Sequence, residues 1–166
     1  MFHTQEKREK RLDAPGLCTR DDAWLGHGCY FWEEERDAVT WGNSSKTNTG
    51  SYEIYKGRIV SDAFLDTVFN EEHYQFWIEQ IEKTANDYKQ KTGKRPNIRF
   101  ICSYLDTDTQ WKSDMDGILF ADSPTGKHSL VDGLPYRKRI QAVIYTLSCL
   151  RRFDFYKEGK CVKLID

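Results

Sequence analysis

Hydrophobic side chains recur along this chain with two different periods. Over residues 71–92, Tyr74, Trp77, Ile78, Ile81, Ala85 and Tyr88 fall three or four apart, as one face of a helix requires. Asn70 stands where an N-cap belongs, Glu71 and Glu72 fill the first turn, and Gly93 ahead of Pro96 marks the stop. Over residues 28–32 the period is two, with Tyr30 and Trp32 on one side and Cys29 and Phe31 on the other, which predicts a strand. Further strands are predicted over 52–60, over 116–120 after an Asp-Gly turn, over 139–146 (RIQAVIYT) and over 161–165. Residues 33–41 read as a helix with acids in its first turn, where the helix dipole favours them. Residues 97–105 fit either a short helix or a strand, and 42–51 are loop by composition. Residues 5–12 (QEKREKRL) favour helix by propensity but offer no apolar face, and Pro15-Gly16 ends them. The sum is a mixed α+β chain.

Composition narrows this in three ways. With 166 residues, 39% of them hydrophobic and 31% charged, one globular domain over 1–166 is expected rather than a disordered chain. The balance of 25 Lys and Arg against 26 Asp and Glu, a net charge of -1, argues against a dedicated nucleic-acid binder. The five cysteines form no CxxC pair and have no zinc-ligand spacing, so they read as free thiols with no metal and point to a cytoplasmic protein. Cys29 or Cys102 with His27 or His128 would be the pairing for a cysteine nucleophile, but a buried, inert thiol is the commoner reading. No apolar run approaches membrane-spanning length, so no membrane partner is expected.

What composition leaves unexplained is where the aromatic residues, 14% of the chain, are placed. Trp24-Leu25-Gly26-His27-Gly28-Cys29-Tyr30-Phe31-Trp32 sets four aromatic rings around a glycine bend. Glycines let a backbone approach a flat ligand, and rings beside the bend offer stacking surface to a planar cation. Gly26-His27-Gly28-Cys29-Tyr30-Phe31 resembles the G-x-G-[IV]-Y-F segment of poly(ADP-ribose)-polymerase-like and diphtheria-toxin-like ADP-ribosyltransferases.

The resemblance extends in order along the chain. Trp41 lies eleven residues past Tyr30, where the family has its second aromatic, and Ala38 stands in place of a helical serine. Phe2-His3-Thr4 resembles the family's His-Gly pair, with Thr4 replacing the glycine, and His27 is the next candidate for that histidine. Gln141, within Tyr136–Tyr145, occupies the place where many members carry glutamate. The resemblance implies a fold of two packed, mostly antiparallel sheets around an NAD cleft with flanking helices. It also implies a catalytic set of His3, Tyr30 and Gln141, with His3, Thr4, Gly28, Tyr30, Ala38 and Trp41 around the dinucleotide and its nicotinamide ring clamped between Tyr30 and Trp41. NAD would be the substrate, and the reaction a mono-ADP-ribosyl transfer to a macromolecular acceptor, protein or nucleic acid, by a toxin or phage-defence type effector with an antitoxin or regulator as partner. The alternative is an NAD- or ADP-ribose-binding sensor of the same fold without turnover. Glu33, Glu34 and Glu35 could supply a base that Gln141 lacks, and the basic run Tyr136–Arg139 could face the acceptor.

Overall fold

The computed structural model describes residues 1–20, 23, 25–46, 48–108, 113–122 and 138–161. Its elements in chain order are β1 (Phe2–Glu6), β2 (Cys29–Trp32), α1 (Glu35–Ser45), β3 (Ser51–Ile59), β4 (Phe64–Asp66), α2 (Glu71–Thr92), α3 (Ile98–Asp108), β5 (Gly117–Asp122), β6 (Arg139–Ile144) and β7 (Leu150–Lys160). The α+β class read from the sequence holds. Trp24, His128, Tyr136, Arg137 and residues 162–165 of the last predicted strand lie outside the described residues.

The strands hydrogen-bond in the order β4-β5-β6-β2-β1-β3-β7, with only β4 and β5 parallel. Where the resemblance implied two packed sheets, the described strands join into one. The join is thin, however. β1 and β2 share a single Cα pair, Phe2↔Trp32. On its other side β2 runs with β6 from Cys29↔Ile144 to Trp32↔Gln141, and β1 runs with β3 from Phe2↔Lys56 to Glu6↔Tyr52. Beyond Phe2 and Trp32 the two central strands have no common ladder, and we call this parting of β1 and β2 the wedge.

Helices cover one face of the sheet. α1 sets Ala38 and Val39 against Trp32, Tyr52 and Ile54. It comes this close because residue 42 is glycine: a Cβ there would stand 2.6 Å from the Tyr52 ring. α2 sets Trp77, Ile78 and Ile81 against Leu65, Ile118 and Val143, with the Trp77 ring edge-on to Phe120 at 4.9 Å. The opposite face gathers Cys29, Phe31, Ala142, Ile144 and Cys149 with Leu150 and Phe153. Such apolar burial is the main stabilising term for a sheet of this size.

α2 has the ends its sequence promised. Asn70 Oδ1 accepts the His73 N–H at 3.1 Å, and Gly93 closes the helix at φ 70, a left-handed conformation that glycine adopts without strain. The ambiguous segment is helical: Ile101, Cys102 and Leu105 are buried at helical spacing, and Phe100 packs on Tyr88 of α2 at 4.5 Å. The helix expected over 5–12 does not form. Residues up to Glu6 belong to β1 and those after it are irregular, since a helix with no apolar stripe has nothing to pack. β4 and β7 were not anticipated. β7 lies at one end of the strand order, and its register against β3 shifts between Ile54 and Tyr55 and again between Arg58 and Ile59. No helix among the described residues is long and apolar enough to cross a membrane.

Candidate functional site

Tyr30 and Gln141 come together. Tyr30 pairs with Val143 and Trp32 with Gln141, which makes Tyr30 and Gln141 diagonal neighbours on adjacent strands, about 7–8 Å apart. Both lie on the helix-covered face, where Tyr30 packs on the cluster of Leu25, Trp77 and Val143. Gln141 is buried and also pairs with Phe120, so it sits between two aromatic positions. The Tyr30 hydroxyl is turned back on its own turn. It donates to Gly26 O at 2.7 Å and accepts the Leu25 N–H at 3.2 Å. Gly26 allows that turn with φ 79, and Tyr145 Oη braces it by donating to Leu25 O at 3.2 Å.

His3 bridges the wedge between β1 and β2. Its Nδ1 lies 2.8 Å from Tyr30 O, so the ring donates there, and Nε2 accepts the Gly16 N–H at 3.2 Å. The ring packs on Phe31 and Phe153, with centroids 5.4 and 5.9 Å away. Phe31 alternates to the side of β2 opposite Tyr30, so the imidazole meets Tyr30 at its main chain rather than at its phenol. Burial lowers the pKa of His3 from 6.5 to about 4, with the Lys46 charge adding to it and the Tyr30 carbonyl opposing it. His3 is therefore a neutral imidazole, with the hydrogen on Nδ1 and an acceptor at Nε2. His27, the other candidate, is exposed on the glycine turn.

The remaining predicted positions divide between packing and surface. The Thr4 hydroxyl donates to Ala38 O at 2.9 Å, and Ala38 is fully buried where α1 crosses the sheet. A Cβ on Gly28 would stand 2.3 Å from Val143 Cγ2, so that glycine is demanded by the approach of β6. Trp41 is 38% exposed. The ring it meets is Trp32, at 6.0 Å and tilted by 50°, not Tyr30 as a two-ring clamp would have it. Glu35 accepts from Tyr156 Oη at 2.8 Å and from Lys157 Nζ, and the Lys157 bond is the first cause of its lowered pKa. It ties α1 to β7.

Two contributors were missed by sequence reasoning. Trp32 links Trp41 to Gln141, and the Arg139 guanidinium lies over the Trp32 ring at 5.2 Å. The signal was parity: Trp32 is two residues from Tyr30, and Arg139 is two residues from Gln141. On the other side of β1, Tyr55 Oη donates to Glu53 Oε2 at 2.5 Å, and both residues are buried next to His3 and Gln5. Comparisons with protein-family models, with curated proteins and with solved structures found no match.

Proposed function

We propose that the chain is an NAD-dependent mono-ADP-ribosyltransferase of the ADP-ribosyltransferase-like fold, working on a macromolecular acceptor and held in check by a partner such as an antitoxin. The observation that carries this reading is the wedge. β1 and β2 part after one pair, the His3 imidazole spans the gap to the Tyr30 main chain, and Tyr30 and Gln141 stand side by side on β2 and β6. A dinucleotide fits these groups by type. The exposed Trp41 indole, set against Trp32, is a stacking surface for a planar ring, and His3 Nε2 is a neutral acceptor of the kind a ribose hydroxyl needs once the Gly16 N–H leaves it.

Cleaving the nicotinamide–ribose bond develops positive charge on the ribose, and the leaving group departs neutral. The chain's part is to hold the ring and steady the ribose. The Gln141 carbonyl can accept the 2′-hydroxyl but cannot take a proton. Relative to a carboxylate, that loss costs on the order of 1.5–3 kcal/mol, or roughly one to two decades in rate. Transfer to an acceptor that is already nucleophilic survives this, whereas chain elongation does not. The buried Gln141 also favours a second reading, an NAD- or ADP-ribose-binding sensor without turnover.

Nicotinamide release from labelled NAD⁺ in the presence of cell extract separates the two. The transferase releases nicotinamide and labels an acceptor, Tyr30→Ala abolishes both, and Gln141→Glu raises hydrolysis. The sensor binds NAD⁺ calorimetrically and releases nothing. A Tyr30→Ala variant with full NAD⁺ affinity refutes the dinucleotide site.

A further inference from the structure

Residues 11–18 run across the wedge and touch both of its walls. On the β1 side, the Gly16 N–H donates to His3 Nε2, and a Cβ on residue 16 would meet Gln5 Oε1 at 2.7 Å. On the β2 side, Cys18 and Gly28 exchange two main-chain hydrogen bonds of 2.9 and 3.2 Å, and Cys29 Sγ donates to Pro15 O at 3.7 Å. Farther along, the Leu12 N–H donates to Tyr55 Oη at 3.0 Å, and the Arg11 guanidinium caps the Phe155 ring at 3.8 Å. Within the segment only Pro15 is buried, and Leu17 is 63% exposed. Hydrogen bonds rather than apolar area hold it, the profile of a segment that opens without unfolding the sheet beneath.

What the segment covers includes polar groups beside the aromatic rings. His3 is 4% and Glu53 3% exposed, with the Tyr55 hydroxyl on the Glu53 carboxylate. A carboxylate and an imidazole both kept dry on adjacent strands are costly as mere core, and such groups gather where ligands bind. The covering segment meets them as a ligand would, with N–H groups aimed at His3 Nε2 and Tyr55 Oη and a peptide edge matched to Gly28.

We infer that residues 11–18 are an intramolecular plug, occupying with their own N–H and C=O groups the positions that a ligand entering the wedge between β1 and β2 would use. The inference rests on the dinucleotide reading and adds its regulation. The resting protein is closed, the binding-competent form is the minor population, and apparent affinity falls by that fraction. Release of the plug frees the His3 acceptor and both main-chain groups of Gly28 together, because one short segment holds all of them.

Hydrogen exchange of the full chain with and without saturating NAD⁺ tests this, alongside calorimetry of Cys18→Pro. That substitution deletes the N–H accepted by Gly28 O and leaves His3, Tyr30 and Gln141 in place. NAD⁺ should speed exchange in peptides spanning 11–18, and Cys18→Pro should tighten NAD⁺ about tenfold. If Cys18→Pro does not fold, Leu12→Pro, which removes the N–H given to Tyr55, takes its place. NAD⁺ bound with unchanged protection of 11–18 and unchanged affinity in the variant overturns the plug and leaves the dinucleotide site standing. NAD⁺ bound by the variant alone is the plug at full strength. No binding by either protein overturns both.

Discussion

Acidification from pH 7 to pH 4 should remove a definable part of the stability through His3. Burial holds its folded pKa at about 4, whereas the unfolded chain titrates near 6.5. Between those values the unfolded state binds the extra proton and the folded state does not. The contribution is therefore whole above pH 6.5 and is lost as the pH falls toward 4. At about 1.4 kcal/mol per pH unit, the loss totals roughly 3 kcal/mol, about 2 of it already gone at pH 5. Its molecular origin is local as well as dielectric, because a proton on Nε2 would face the Gly16 N–H that now donates to it. Urea unfolding of the wild type and of His3→Gln at pH 7, 6, 5 and 4 isolates the effect, since every carboxylate is common to both proteins. The stability difference between them should shift by roughly 3 kcal/mol across the series in favour of the variant. A difference that stays flat, or an imidazole that titrates near 6.5 by NMR in the folded protein, refutes the account of His3.

Two further expectations follow from packing. Gly28→Ala forces a methyl against Val143 Cγ2 and within 2.9 Å of Ile144 O; it should cost about 1–3 kcal/mol and several degrees of Tm whether or not NAD⁺ is present, and an unchanged Tm contradicts the close β2–β6 approach. Cys29, its thiol pushed up to about 11 by burial and then by Cys149 and Cys18, should react with iodoacetamide at pH 8 at least about 100-fold more slowly in the native protein than in urea; peptide mapping that finds it labelled natively at the unfolded rate removes it from the core.

Much of this was legible in the sequence where a single periodic signal decided it. α2 announced its cap, stripe and stop together, and β2 alternated cleanly enough to place Tyr30 and Trp32 on one face, whereas β6 is buried on both sides from Gln141 to Ile144 and the face of Gln141 came only from its pairing with β2. β7 was not legible because its inward positions, Phe153 and Phe155, alternate with Arg152, Asp154, Tyr156 and Glu158, and the doubled arginine at 151–152 reads as a solvated run. A strand that shows one side to water carries only half a hydrophobic signal. Trp41 was misjudged for a different reason. Spacing along the chain located its helix but not the neighbour its ring would meet, and Trp32, two residues beyond Tyr30, met it first. Residues 11–18 gave no warning of their placement, since hydrogen bonds made by main-chain groups leave no trace in side-chain pattern.

Among the described residues β7 has a ladder on one side only, so eleven residues of strand edge look outward. A long straight edge of that kind invites neighbouring molecules to add strands, the first step towards fibrils. The two offsets in its register interrupt the run, and the charges of Arg152, Asp154, Glu158 and Lys160 stand in exposed positions along it. An incoming strand would find no uninterrupted stretch to copy, and that should keep the molecule dispersed at concentrations where a smoother border would seed polymers.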